Sequence, residues 1–407
     1  MRQSVEAEHY FQTDAAISES SRKAQKSKNQ AGSPIKLPSK LLGVISDPFN
    51  ENAIYVAEAA GTIKRIGLET GTTSHTLRPS TPPNPFTCLA IHVTSPTTGT
   101  LFAGSWDKNV YVWPIKASVP ASATSTTTLQ GHSDFLKALV VIPFRETPLL
   151  VSASADKSLI VWDAISLTKL HVLTGHQRGV QALAIDPLSL PDVLGGPSDD
   201  ESAIIASGDS NREIRFWHVS AKAAFEISTG DAASETPVSK SASDADIDPL
   251  VIHETSLYSL TYSTSGDLWT ASADKTSKRL SRAHNYTADT TLAHDDYVKC
   301  VALAQDRDLV VTGSRDEDVR VWEGGRGKCL ARLRGHWDEV TGLAIVAGGK
   351  AVVSVGIDGT VRRWGLGTDE MKKEIEVFEQ GKEEEKKENL MTEEEERELA
   401  DLMGDSD

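Results

Sequence analysis

An all-β closed ring of seven four-stranded antiparallel sheets is the architecture this sequence predicts, and three observations predict it. Six segments share one ending: an acidic or amide residue, five residues, then a large apolar one. They are Asp107–Trp113, Asp156–Trp162, Asn211–Trp217, Asp274–Leu280, Asp316–Trp322 and Asp358–Trp364, and a seventh, Ala60–Ile66, keeps the spacing with both signature residues changed. The intervals between successive segments are 47, 49, 55, 63, 42 and 42 residues, so the bare unit is about 42 and the longer ones hold insertions at Ser118–Thr128, Leu188–Ser202 and Ala221–Asp248. Each unit also carries short apolar strand signals separated by turn residues. An internal repeat decides the architecture first, because one unit cannot bury its own faces and stacked neighbours can.

The elements follow in chain order. Residues 1–32 are polar, rich in Ser, Lys, Gln and Ala, and are expected to be a mostly disordered extension. Within them Arg22-Lys-Ala-Gln-Lys-Ser-Lys28 reads as a solvated charge run or a weak nuclear signal. The repeat body spans 33–367. In the unit at 131–170, Gly131-His132 opens a turn, and Phe135–Val141 and Leu149–Ser154 are strands. Ala155-Asp156-Lys157 is a tight turn, and Ser158–Trp162 and Thr168–Leu173 complete four strands. The Ser-, Ala- and Asp-rich insertion 221–248 has no periodicity and is expected to be a mobile loop. Residues 368–407 read as an acidic helical tail.

Charge divides along the same boundaries. The chain carries −16, and residues 369–407 hold 17 acidic and 6 basic residues, or −11, which leaves −5 for the rest. A mildly acidic body argues against nucleic acid as a direct ligand, since that requires a basic face to displace counterions. Cys88, Cys300 and Cys329 show no CxxC spacing, fall in strand signals and read as small buried apolar residues of a reducing compartment. With no leader-like apolar stretch and no 18-residue apolar run, the expected location is cytoplasmic or nuclear, away from membranes.

The recurring Gly-His to Trp-Asp pattern resembles the WD-repeat β-propeller family. The full pair is Gly131-His132 with Trp162-Asp163, and partial forms are Gly175-His176 with Trp217-His218, Ala293-His294 with Trp322-Glu323, and Gly335-His336 with Trp364-Gly365. The resemblance implies one hydrogen-bonded set per blade: His132, Ser152, Asp156 and Trp162; His294, Thr312, Asp316 and Trp322; His336, Ser354, Asp358 and Trp364. The physical demand is independent of the name. A buried turn carboxylate needs donors, which an imidazole and a hydroxyl supply, and an indole N–H needs an acceptor. These histidines are therefore expected to hold the fold and not a ligand.

Departures are visible. The fourth unit has Asn211 where the acid belongs, the fifth has His253, Thr270 and Asp274 but Leu280 for Trp, the second lacks the His and has Ala103 for Ser, and the first has none of the set. The last unit ends with three strands, and the family closes its ring with a strand from the N-terminus, for which residues 34–38 are in place. Closure removes exposed sheet edges.

In the tail, Thr392-Glu-Glu-Glu395 matches a capping box, and Leu399, Leu402 and Met403 follow at helical spacing. That stripe either packs on the ring or docks in a basic, apolar-lined groove of a partner. No phosphate loop, nucleophile elbow or HExxH occurs, and Gly324-Gly-Arg-Gly327 sits in a hairpin connection. No catalytic residue, cofactor or metal site is expected. The Trp-Asp-x-Arg of cullin-ligase adaptors is also missing: the chain reads Trp162-Asp-Ala-Ile165, Trp322-Glu-Gly-Gly325 and Trp364-Gly-Leu-Gly367.

The resemblance directs partners to one rim, where Trp106, Phe135, Arg178, Tyr258, Tyr297, Arg315 and Trp337 fall. Aromatics and Arg are the types enriched in interface hot spots. The expected role is a non-enzymatic scaffold that binds proteins or peptides, as a monomer within a larger complex. Two alternatives stand beside it: a substrate adaptor for ubiquitin ligation or proteasomal turnover, and a nuclear assembly factor for ribosomal or chromatin particles.

Overall fold

The computed structural model describes residues 14–79, 82–117, 127–191, 201–234 and 247–376. It is a seven-bladed β-propeller of antiparallel sheets, each blade built from strands consecutive in sequence except the last. Blade three shows the plan. Leu136–Ile142 lies innermost, followed by Leu149–Ser154, Ser158–Asp163 and, outermost, Lys169–Thr174.

The second strands are buried on both faces. Leu149–Ser154 is buried at every residue, as are Ala53–Glu58, Leu309–Ser314 and Ala351–Gly356. Such strands need a neighbour on each side, and the core is accordingly a series of layers between adjacent blades. One layer joins Val151, Val161 and Leu173 of blade three to Ile205, Trp217 and Val219 of blade four. Another joins Ile54, Val56 and Ile66 of blade one to Val353, Val355 and Val361 of blade seven, closing the circle.

Every innermost strand carries a register shift near its start, at Leu41/Gly43, Phe86/Cys88, Leu136/Ala138, Val180/Ala182, Leu257/Ser259, Val298/Cys300 and Val340/Gly342. A bulge bends the strand and raises its twist, here where each strand leaves the rim for the axis. The seven strands line a channel of about 230 Å³, with small residues such as Gly43, Ala138, Ala182 and Gly342 facing it.

Ring closure uses the N-terminus. Ile35–Lys36 pairs antiparallel with Thr360–Val361, and Leu37 and Arg363 add backbone bonds of 2.8 Å to Gly359 and Gly32. Gly32 lies at φ +69° with its Cα against the Trp364 ring, where a Cβ would meet ring carbons at 2.8–2.9 Å, so only glycine fits. The C-terminal helix, 368–376, meets this segment through Glu374, which accepts the Gly32 N–H at 2.8 Å. Met371 and Ile375 of the same helix pack with Ala31 and Trp364.

Three sequence expectations need correction. Part of the extension expected to be disordered, Asp14–Lys26, is a helix. Ions fix it: Arg22 and Lys26 pair with Glu317, and Lys23 pairs with Asp338. The insertion at 221–248 is not all loop. Ala224–Ile227 is the outer strand of blade four, Thr229–Ala233 is a helical turn capped by Ser228, and Leu250–Val251 returns to pair with Glu213–Ile214. The outer strand is thus made in two pieces around the insertion, whose residues 235–246 lie outside the described part. Finally, Cys329 is exposed on the outer strand of blade six, whereas Cys300 is buried.

Candidate functional site

Each predicted set is assembled through one hydroxyl. In blade three, Trp162 Nε1 donates to Ser152 Oγ at 2.9 Å, and Ser152 Oγ lies 2.8 Å from His132 Nε2. His132 Nδ1 lies 2.9 Å from Asp156. In blade six Thr312 stands 2.8 Å from Trp322 Nε1 and 2.7 Å from His294, which reaches Asp316 at 3.3 Å. In blade seven Ser354 lies 2.8 Å from Trp364 Nε1 and 2.7 Å from His336, which meets Asp358 at 2.8 Å.

One donor order satisfies every atom. The indole N–H donates to the hydroxyl, the hydroxyl donates to Nε2, and the Nδ1–H donates to the carboxylate. The imidazole is then neutral, in agreement with burial, which depresses the pKa of both His132 and His294. Burial alone would raise the Asp316 carboxyl. The His294 ring, the Arg320 guanidinium and the Asp318 backbone N–H outweigh it and hold that carboxyl down at about 2. Every group of these three sets is committed to a neighbour.

The deviant blades depart from this plan in different ways. Asn211 is exposed and is not the acid of blade four. Asp209, two residues earlier, takes that place 3.3 Å from His176 Nδ1 and accepts the Asn211 backbone N–H at 2.8 Å. Ser207 joins His176 and Trp217, as Ser152 joins His132 and Trp162 in blade three. Blade one uses Glu58 at the equivalent position, bonded to Thr62 and, at 2.8 Å, to Lys64. Blade five keeps His253, Thr270 and Asp274 in contact without a Trp. Blade two has no hydroxyl, and its buried Trp113 Nε1 is left without a partner while Tyr111 bonds the turn acid Asp107.

Sequence reasoning missed a fifth component. Lys64, Arg215, Lys278, Arg320 and Arg362 recur four residues after the turn position. Lys278 reaches the Ile252 carbonyl at 2.9 Å, Arg320 the Ala293 carbonyl at 2.9 Å, and Arg362 the Ala31 and Asn29 carbonyls. The recurrence of cations at that spacing was the available signal.

His176, Asp209 and Glu213 bring three possible metal-ligand atoms within 4.8 Å of one another. Their bonds account for them: Asp209 accepts two backbone N–H groups, His176 meets Ser207 at 2.6 Å, and Arg215 supplies a counter-charge 3.3 Å from Glu213. A cation there would compete with Arg215, so the set reads as structural.

The rim is stiff by construction. In all seven blades the turn between the second and third strands donates a backbone N–H to the loop before the innermost strand: Ala59 to Lys40, Trp106 to Pro85, Ala155 to Phe135, Ser210 to Gly179, Ala273 to Ser256, Arg315 to Tyr297 and Ile357 to Glu339, at 2.8–3.0 Å. On this frame Trp106 of blade two and Phe135 of blade three stack with ring centroids 5.5 Å apart, yet remain 41% and 40% exposed.

The other predicted rim residues fall into smaller groups. Arg315 lies over Tyr297 at 5.4 Å. Tyr258 lies at the channel mouth under Lys299, 3.9 Å from its ring centroid, and Lys299 pairs with Glu339 at 2.9 Å. Arg178 is exposed on blade four, and half-buried Trp337 keeps an unpartnered indole N–H. Leu399, Leu402 and Met403 lie outside the described residues. No helix among the described residues is long and apolar enough to cross a membrane.

Comparison with known proteins agrees with this geometry. The "WD domain, G-beta repeat" family model matches residues 71–114, 123–163, 287–323 and 327–365. The stretches between those matches include blades four and five, both with altered hydrogen-bonded sets. An uncharacterized WD repeat-containing protein of Schizosaccharomyces pombe is 28% identical over 369 residues, 88% of each chain. The nuclear distribution protein PAC1 of Arthroderma benhamiae is 27% identical over 267 residues, 59% of this chain and 51% of that protein. The nuclear distribution protein nudF of Aspergillus niger is 24% identical over 302 residues, 69% of this chain and 59% of that one. This chain thus spans little more than half of either nuclear distribution protein.

Proposed function

Because this chain belongs to the WD-repeat family of β-propellers, we propose that it is a non-catalytic scaffold whose rim binds other proteins and assembles them into a complex. The observation that carries this reading is the Trp106–Phe135 stack, two large rings held half-exposed on a hydrogen-bonded frame. Burying them under a partner would remove apolar surface from water at little conformational cost, because the frame is already ordered. The buried His, Ser or Thr, Asp and Trp sets serve the fold that presents this surface. A cytoplasmic or nuclear setting and a monomeric state within the complex belong to the same proposal.

The test is affinity purification of the full chain with Trp106→Ala and Phe135→Ala, alone and together, and with Arg315→Ala and Trp337→Ala. The double aromatic variant is expected to lose its co-purifying proteins while its urea midpoint stays that of the wild type. Undiminished recovery with all four substitutions would remove the rim from consideration.

A further inference from the structure

We propose that the N-terminal helix, Asp14–Lys26, is a built-in stand-in for a basic helical segment of a partner, occupying an acidic docking point on the rim of blades six and seven. This inference rests on the rim being the protein-binding surface.

The position it occupies is singular within the ring. The left-handed residue of the turn between second and third strands is Gly61, Lys108, Lys157, Arg212, Lys275, Glu317 and Gly359 in blades one to seven, all with φ between 65° and 76°. Four are cations and two are glycine. Only blade six places an acid there, and that acid is where the basic helix sits. Glu317 is 9% exposed and is gripped at both oxygens by Arg22, at 2.7 and 2.9 Å, with Lys26 on the same carboxylate. One turn along the rim, Lys23 reaches Asp338 at 2.8 Å. The site therefore reads cations at positions i, i+1 and i+4 of a helix, where Lys26 neighbours Arg22 at i,i+4 and Lys23 at i,i+3. Two carboxylates some distance apart, each meeting a different cation, define a charge pattern and not merely a negative patch.

The grip is also open to solvent on its cationic side. From Ser20 to Asn29 no residue of the segment is buried, and Lys26 and Asn29 form one wall of an open crevice of about 260 Å³ lined by Asp316, Asp318, Arg332 and Arg334. The cations of these ion pairs are partly exposed, so the pairs are screened by salt. By contrast, the chain just beyond, from Ala31 to Leu37, is fixed by buried contacts and strand pairing. The helix is thus an arm held through salt-screened ion pairs on a root held by buried contacts, and its local concentration at the site is high. A partner helix with the same cation spacing must displace it.

The experiment uses the full chain and a fluorescent peptide of residues 14–28. In one variant Arg22→Glu, Lys23→Glu and Lys26→Glu release the arm. This variant should bind the peptide at least about tenfold more tightly than the wild type, whose site is occupied. Adding Glu317→Lys to it should abolish binding, and Lys keeps the turn intact because blades two, three and five carry Lys at that position. Asp338→Asn in the same background, with an unchanged urea midpoint, should weaken binding by a smaller factor. A triple variant that binds the peptide no better than wild type, or binding that survives Glu317→Lys, would overturn the proposal. Either result would leave partner capture through Trp106 and Phe135, on blades two and three, to stand or fall on its own experiment.

Discussion

Replacing Thr312 by Val removes one buried hydroxyl and changes little else in shape. In blade six that hydroxyl is the acceptor for Trp322 Nε1 at 2.8 Å and the partner of His294 Nε2 at 2.7 Å. Thr312 is fully buried, so both nitrogens lose their only nearby oxygen and no water replaces it. An orphaned buried polar group costs about 1–3 kcal/mol, so two should cost about 2–6 kcal/mol. Blade five supplies the control. Thr270 is equally buried and meets His253 Nε2 at 2.6 Å, but Leu280 stands where the indole would be. Thr270→Val therefore orphans one ring nitrogen and should cost about 1–3 kcal/mol. Urea denaturation followed by tryptophan fluorescence reads both midpoints. Thr312→Val must be the more damaging by about 1–3 kcal/mol. Equal losses, or a larger loss for Thr270→Val, would refute the assignment of the hydroxyl as the shared node of the set.

Three further outcomes follow from the same structure. Gly32→Ala places a Cβ at 2.8–2.9 Å from the Trp364 ring in a left-handed conformation, and should destabilise by about 2–4 kcal/mol; Gly71→Ala, also left-handed but with its nearest neighbour 3.6 Å away, should cost about 1 kcal/mol, and the two urea midpoints compare them. Removing residues 1–39 takes away the Ile35–Lys36 strand and the carbonyls that hold buried Arg362, so the whole ring should melt earlier than the full chain in calorimetry; an identical melting curve would contradict the closure described here. Stability should also fall on acidification in two stages. His132 and His294 have depressed values in the fold, so the unfolded chain takes up protons first and stability present above pH 6.5 declines below it. The depressed carboxyls of Asp156, Asp316 and Asp358 add stability that is present above 3.8 and is lost as pH falls further, toward about 2 for Asp316. Urea midpoints that rise between pH 7 and pH 5 would contradict the neutral histidines.

The ring, its seven units and the three complete hydrogen-bonded sets were legible because spacing repeats, and Asp156, Asp316 and Asp358 fall at the same offset from Trp. What failed to be read was substitution by equivalent chemistry at another position. Asp209 stands two residues before the expected acid and accepts the Glu213 N–H, the counterpart of the Ser158 N–H that Asp156 accepts, since a carboxylate reaches the same N–H group from either side of a tight turn; Glu58 stands at the same offset but bonds the Thr62 and Lys64 side chains. The N-terminal helix was illegible for a different reason. Its composition is that of a disordered segment, and its order comes from Glu317 and Asp338, almost 300 residues away or more. The Trp106–Phe135 stack was half legible: both residues were candidates, but their contact joins two blades and depends on how those blades are set side by side.

The division of labour between a buried framework and an exposed rim is tested most directly by one paired measurement. The double variant Trp106→Ala, Phe135→Ala and the single variant Thr312→Val are each compared with wild type for co-purified proteins and for urea midpoint. The rim variant should lose its partners and keep its midpoint, while Thr312→Val should lower the midpoint and retain partners at temperatures where it is folded. A rim variant that captures partners normally, or a folded Thr312→Val that does not, would contradict the account.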